Sequence, residues 1–277
     1  MKVVQGITEL RTARAQLSDP LGLVPTMGAL HDGHRSLIHR ACQDCASVVV
    51  SIFVNPTQFG ASEDLSAYPR DLARDVTVAE RAGADVVWAP EADDMYPTGF
   101  QTWVHVESLT QLLEGIYRPG HFQGVATVVA KLFNAVQPQQ AYFGQKDAQQ
   151  AVVVRRMAQD LNFPVEIVVC PTVREADGLA MSSRNAYLNP NERRAAAVLF
   201  RALSAAAEAF EAGEREADRL RERMERTLGG EPLARPQYVS VADPETLEEL
   251  SGPVERALLS MAVHIGATRL IDNLLVG

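Results

Sequence analysis

Ser47-Val48-Val49-Val50-Ser51-Ile52-Phe53-Val54 is a β-branched, apolar run with no alternating polar face. A strand of that kind is buried on both sides, and in practice it belongs to a parallel sheet covered by helices on each face. The run therefore commits this part of the chain to the α/β class. Its surroundings agree. Leu21–Val24 is a shorter apolar segment followed by a Gly-containing turn and a helical pattern. Residues 71–82 read as a helix, and Gly83-Ala84-Asp85 turns into a third strand over Val86–Pro90. Gln140–Phe143 and Val165–Cys170 read as two more strands, separated by a helix that runs to about Asp160. Residues 5–17 have Ile7, Leu10, Ala13 and Leu17 at helical intervals.

In such a sheet, ligands bind beyond the carboxyl ends of the strands. The first strand delivers Val24-Pro25-Thr26-Met27-Gly28-Ala29-Leu30-His31-Asp32-Gly33-His34 to that end. Free backbone N–H groups and the helix dipole in a strand-to-helix turn favour anionic oxygens. Gly28 and Gly33 let the backbone take unusual angles or lie close to a ligand. If the helix has begun by His31, then His31 and His34 share one face. Two imidazoles there can donate to oxygens that gain charge during phosphoryl transfer. The same spacing also suits half of a metal site, for which only Asp32 is local, or two histidines on a solvated helix. Asn55-Pro56-Thr57-Gln58-Phe59-Gly60 ends the second strand at the same edge.

The chain has 277 residues and a formal net charge of −9, and no apolar run is long enough to span a bilayer. The acidic balance argues against nonspecific binding to nucleic acid or to anionic membranes, so an anionic ligand needs a local concentration of positive charge. Glu9, Arg11 and Arg14 interrupt any apolar leader, and the expected place is the cytosol. Cys42 and Cys45 have C-x-x-C spacing, but they follow a helical run rather than opening one. They read as small buried side chains, as does Cys170.

Residues 102–106 read as a short strand, 109–115 as a helix, Tyr117–Gly124 as a loop with basic and aromatic groups, and Val125–Val136 as a buried helix. Gly144-Gln145-Lys146-Asp147 is a second Gly turn opening a helix, with a lysine able to meet phosphate as a point charge. Beyond Pro171-Thr172 the texture changes. Arg174–Asn185 is polar and loop-like; residues 190–212 and 216–228 are helical; Tyr238–Val241, Ala257–Val263 and Thr268–Leu275 read as strands. The expected organisation is an N-terminal Rossmann-like parallel-sheet domain over residues 1–172 and a smaller, lid-like α+β domain over 173–277.

His31-Asp32-Gly33-His34 resembles the H-x-G-H signature of the nucleotidylyltransferase superfamily, whose members attack the α-phosphate of a nucleotide. Met181-Ser182-Ser183-Arg184 resembles its second signature, a loop that closes on the triphosphate. With Ser51–Phe59, Tyr68-Pro69-Arg70, Phe143–Asp147, Asp177–Asn185 and Arg269-Leu270-Ile271-Asp272-Asn273, the chain resembles the pantothenate synthetase family over nearly its whole length.

That resemblance implies condensation of pantoate with β-alanine at the expense of ATP, with release of AMP and pyrophosphate. It implies that Met27, Gly28, Ala29, Leu30, His31, Asp32, Gly33 and His34 line the ATP site, His34 as the catalytic donor and His31 as its partner. It likewise assigns Gly144, Gln145, Lys146, Asp147, Val173, Met181, Ser182, Ser183 and Arg184 to the nucleotide, with Lys146 and Arg184 stabilising charge. Gln58 and Gln150 would hold pantoate, Asn55 and Tyr68 would shape the same pocket, and Asp75 would act through magnesium. A homodimer is also implied. His39, His105 and His264 have no motif around them and read as structural, and Arg35 is expected on the outer face of its helix. Two other readings compete. A relative that transfers a nucleotidyl group to a phosphate acceptor would keep both signatures without needing Gln58 and Gln150. A non-catalytic nucleotide sensor would be expected to have lost His34 or Lys146.

Overall fold

The computed structural model describes residues 1–60 and 63–277. Two compact units emerge. The first comprises Met1–Thr110, Gly115–Gln145 and Gln150–Pro171, and the second Gln111–Glu114, Lys146–Gln149 and Thr172–Gly277.

The first unit is built on six strands: β1 (Lys2–Val4), β2 (Leu21–Thr26), β3 (Ser47–Ile52), β4 (Val86–Trp88), β5 (Gln140–Gly144) and β6 (Glu166–Cys170). They form one parallel sheet in the order β1-β4-β3-β2-β5-β6. Helices α1 (Ile7–Arg14), α2 (Asp32–Asp44), α3 (Leu72–Ala82), α6 (His121–Val136) and α7 (Ala148–Asp160) accompany it, with the short α4 (Ala92–Met95) and α5 (Glu114–Tyr117) in connections. Successive side chains of a strand point to opposite faces, and here both faces are apolar. Leu21, Leu23, Val49, Val86 and Trp88 pack with α1, α6 and α7 on one side. Val24, Val48, Val50 and Val87 pack with Leu37, Ile38 and Ala41 of α2 and Ala79 and Ala82 of α3 on the other.

Several elements differ from expectation. β1 is an added edge strand, three residues long and too short to show a pattern. Residues 102–106 form no strand: Val104 and Val106 pack against the core, and the Val104 N–H donates to Thr127 Oγ1 of α6 at 3.0 Å, so a helix side chain takes the place of a neighbouring strand. The helix expected over 109–115 is a tight turn at Ser108–Gln111 followed by α5. α6 begins at His121, drawing the end of the expected loop into the helix.

The second unit holds an antiparallel sheet in the order β7 (Ala234–Ala242), β8 (Ala257–Ile265), β9 (Thr268–Val276). β7 starts four residues before the expected strand. Helices α8 (Pro190–Ala196), α9 (Val198–Glu211) and α10 (Ala217–Gly229) bury Leu199, Leu203, Leu220 and Met224 against Val241, Leu259, Met261 and Val263. Asn189 caps α8, its side-chain oxygen accepting from the N–H groups of Asn191 and Glu192, with Pro190 at the first helical position. No helix among the described residues is long and apolar enough to cross a membrane.

Candidate active site

In the first unit the strand order reverses between β2 and β5, the two neighbours from which the chain proceeds in opposite directions. Crevices at such switch points are where open α/β sheets bind ligands. The turn carrying both histidines leaves β2 there; Asn55–Gln58 follows the adjoining β3, and Gly144–Gln145 ends β5.

His31 lies outside α2, as its N-cap, with φ −132° and ψ −179°, and His34 is the third residue inside. The pair therefore meets through a cap and not through a shared helical face. The Gly33 N–H donates to His31 Nδ1 at 3.1 Å, and the His31 N–H donates to His34 Nδ1 at 3.2 Å. A backbone N–H can only donate, so in this arrangement each Nδ1 is an acceptor and each neutral ring carries its proton on Nε2. The rings are 4.1 Å apart and tilted by 48°. Together they offer two N–H donors from one helix start.

The turn itself is more fully occupied than its sequence suggests. The Gly28 N–H donates to Thr26 Oγ1, and those of Ala29 and Leu30 donate to Asp75 Oδ2 and Oδ1, each at 2.8 Å. With the two bonds to imidazole, the N–H groups of Gly28, Ala29, Leu30, His31 and Gly33 all have side-chain acceptors. Five of the amides expected to be free over this stretch are thus already bonded to side chains. Gly28 has φ +83°, and a Cβ there would lie 2.9 Å from Asp75 Oδ2, so both its angle and its close packing call for glycine. Asp32 and Arg35 form an exposed pair on the outside of α2, where Arg35 was expected.

Asp75 does not fit a magnesium ligand. Its carboxylate is 1% exposed, and each oxygen already accepts a backbone N–H. No group of three His, Cys, Asp or Glu side chains able to hold a metal is gathered among the described residues. Asp75 anchors the histidine turn from the first turn of α3.

Beside the turn, Gln58 is buried. Its Nε2 donates to Met27 Sδ at 2.9 Å, and its Oε1 accepts from Asn55 Nδ2 at 3.1 Å. Asn55 Nδ2 also donates to the Gly124 carbonyl, and Asn55 Oδ1 accepts from the N–H and hydroxyl of Thr57. Tyr68 is buried edge-on against Phe59, at 5.8 Å between centroids. Sequence reasoning missed the support behind Gln58. His121 Nδ1 lies 2.8 Å from the Gln58 carbonyl oxygen, which can only accept, so Nδ1 carries the proton and Nε2 accepts from Arg118 Nη1 at 3.1 Å. Arg118 in turn grips both carboxylate oxygens of Glu63. The signal was the Arg118-Pro119-Gly120-His121 segment, whose end proved to be a helix start. Gln150 is half-buried in the first turn of α7.

Lys146, Asp147, Val173 and Met181–Arg184 belong to the second unit. Gln145–Asp147 is one tight helical turn, with Lys146 Nζ 3.6 Å from Asp147 Oδ1. Val173 accepts at its carbonyl from the Met181 N–H, closing a small hairpin whose arms also meet at Arg174 and Ala180. Ser182 caps the turn Ser183–Tyr187, its Oγ accepting from the Arg184 N–H. Of the cysteines only Cys170 is buried; Cys42 is exposed and Cys45 half-buried, which corrects the expectation for both. Desolvation nevertheless pushes all three thiols above the ordinary value, the direction opposite to that of an activated thiolate. His39 and His105 are exposed and His264 is half-buried.

A family model described as pantoate-beta-alanine ligase matches residues 2–275. The chain belongs to the pantoate–β-alanine ligase family. Among its relatives is a pantothenate synthetase of Roseiflexus castenholzii, 62% identical over 273 residues, which are 99% of this chain and 98% of that protein. Another, from Chloroflexus aggregans, is 60% identical over the full length of both. Of solved structures, a pantothenate synthetase from Thermus thermophilus is 52% identical with a TM-score of 0.95, covering 99% of each chain. A pantoate–β-alanine ligase from Francisella tularensis, complexed with beta-gamma ATP and β-alanine, is 34% identical with a TM-score of 0.82, covering 99% of this chain and 97% of that one. Membership in the pantoate–β-alanine ligases sets aside nucleotidyl transfer to a phosphate acceptor, and it fixes the fold as theirs: a six-stranded parallel sheet with a small antiparallel one.

Proposed function

We propose that this chain joins pantoate to β-alanine through an acyl adenylate, and that the two imidazoles of the β2–α2 turn are its principal donors in the first step. A carboxylate resists attack by an amine, so it must first be activated. A carboxylate oxygen of pantoate attacks the α-phosphorus of ATP; the bond from that phosphorus to the bridging oxygen breaks, and pyrophosphate leaves. The uncharged amine of β-alanine then attacks the acyl carbon, the carbon–oxygen bond to phosphate breaks, AMP leaves, and the nitrogen loses a proton. Charge grows on phosphoryl oxygens in the first step, and fixed N–H donors there lower the barrier without reorganising.

The observation that carries this reading is the pair of Nδ1 atoms tied down by backbone N–H groups, which puts the proton of each neutral ring on Nε2 and makes both rings oriented donors. In the proposal His34 is the main donor and His31 its partner. Lys146 and Arg184 supply positive charge, and Met27–His34, Gly144–Asp147, Val173 and Met181–Arg184 contact the nucleotide. Gln58 and Gln150 hold pantoate by their amides in a pocket shaped by Asn55 and Tyr68. The rigid seating of Gln58 by Asn55 and His121 supports that role. Magnesium is assigned to the ATP it accompanies and not to Asp75. A homodimer in the cytosol completes the proposal, and sedimentation velocity at micromolar concentration checks the dimer.

The deciding experiment is a product assay with ATP, magnesium, pantoate and β-alanine, leaving out each in turn. The expected result is AMP and pyrophosphate only when pantoate is present, and pantothenate only when β-alanine is added. Nucleotidyl transfer to another acceptor, without a response to pantoate, refutes the ligase. A folded sample that binds ATP without turnover points to a sensor.

A further inference from the structure

The stretch Arg269–Asn273 has no role in the chemistry above, yet three of its side chains each hold a different segment of the second unit. Arg269 Nη1 and Nη2 grip both oxygens of Glu114, at 2.7 Å each. Asp272, 2% exposed, takes two guanidinium contacts from Arg174, at 2.6 and 3.0 Å. Asn273 Nδ2 donates to the main-chain carbonyl of Lys146 at 2.9 Å. Residues 111–114 and 146–149 are also tied to each other, since Gln149 Oε1 accepts from the Glu114 N–H and its Nε2 donates to the Leu112 carbonyl. Arg174 extends the third tie, donating to the Gly178 carbonyl and stacking 4.3 Å over Phe200. It thereby secures the hairpin that leads into Met181–Arg184.

A strand interior is an unusual place for an adjacent Asp and Asn, both nearly fully buried. Neither belongs to the unit's apolar core. Each is aimed instead at a segment that carries, or leads into, a residue assigned to the nucleotide. We propose that β9 is the positioning element of this ligase, with Asn273 fixing Lys146 through its main-chain carbonyl and Asp272 fixing the approach to Arg184 through Arg174. Asn273 and Asp272 are positioning residues: they act on the backbone that bears the cations and need not touch substrate. A charged group that must meet phosphate oxygens within a few tenths of an ångström cannot tolerate a loose main chain, and a misplacement of about 1 Å can cost on the order of 100-fold.

The inference rests on the proposed role of Lys146, and a double-mutant cycle separates the two. Asn273→Ala, Lys146→Ala and the double variant are compared in the full chain, by kcat and KM for ATP in pantoate-dependent AMP formation and by thermal midpoint. Asn273→Ala is expected to lower kcat/KM for ATP by about 10- to 100-fold while leaving KM for β-alanine near its original value. In the Lys146→Ala background it should add less than about twofold, because the group it positions is gone. Equal losses in both backgrounds overturn the inference and leave a plain structural brace. A Lys146→Ala variant that turns over like the parent overturns the assignment of Lys146 itself. Should Asn273→Ala not fold, Arg269→Lys, at a partly exposed position, opens the other tie to the same segments and is judged by the same cycle.

Discussion

His34 is held by a bond it accepts, and that bond decides which nitrogen carries the proton. Removing the side chain deletes the oriented N–H donor that the proposal sets at the growing charge, and it also frees the His31 N–H that it capped. Such a donor is typically worth about 2.7–4 kcal/mol of barrier. His34→Ala is therefore expected to lower kcat for AMP formation by about 100- to 1000-fold with its far-UV circular dichroism unchanged, and a near-parental rate contradicts the role. His264 makes a different prediction. Burial first, then the charges of Arg269 and Arg235, hold its imidazole below the ordinary value of 6.5. The unfolded chain takes up that proton at higher pH than the folded one. The residue's contribution to stability is therefore complete above about pH 6.5 and falls as the pH drops through that value toward the folded one. Denaturant titrations between pH 7.5 and 5 should show a shallower loss for His264→Gln than for the parent.

The close crossing of α6 with the tight turn Pro56–Gln58 is the most exacting contact between elements around Gln58. A Cβ at Gly124 would stand 2.5 Å from the Thr57 carbonyl oxygen and 2.8 Å from the Gln58 nitrogen, both backbone atoms that cannot swing away. Gly124→Ala should thus push the Asn55–Gln58 turn off α6 and strain its bonds to Asn55 and His121. The expected result is a rise in KM for pantoate of about tenfold or more. It should come with a destabilisation of about 1–3 kcal/mol, against which the better helix propensity of alanine offsets roughly 1 kcal/mol. Steady-state kinetics and a urea titration of the same preparation read both. This contact was not legible in the sequence, because Gly124 lies 66 residues beyond Gln58 and nothing local marks a crossing. Gln58, Asn55 and the histidines could be singled out from residue types, motifs and the family resemblance, and their proposed roles rest on those signals. The residues that hold them in place, His121, Arg118 and Glu63, could not, because their partners are set by tertiary approach.

At the scale of the whole molecule, the parallel sheet was readable wherever strands are apolar on both faces, as β3 is, and least readable at its edge. β1 is three residues with only Val4 buried, and no pattern survives at that length. Residues 102–106 mislead in the opposite sense, since alternating valines can pack on a core without a neighbouring strand. The free-amide reading of the histidine turn is narrowed for a third reason: Asp75, which takes two of those amides, arrives from another helix more than forty residues later.

The two-sided apolar strands carry a consequence for folding fidelity. In a half-exposed strand, slipping by one residue turns the oily face to water and is strongly penalised. In β2 or β3 the same slip turns no side chain to water; it exchanges Leu21 and Leu23 for Gly22 and Val24, or Val48 and Val50 for Ser47, Val49 and Ser51, so the penalty is one of fit rather than of exposure. The register is also marked by a few polar side chains at the strand starts. Gln139 Oε1 receives the Leu21 N–H at 2.7 Å, and Asp85 Oδ2 receives the Val48 N–H at 2.8 Å. Those two residues work as index marks: they add little to the core's mass of contacts, but they tell each buried strand where to begin.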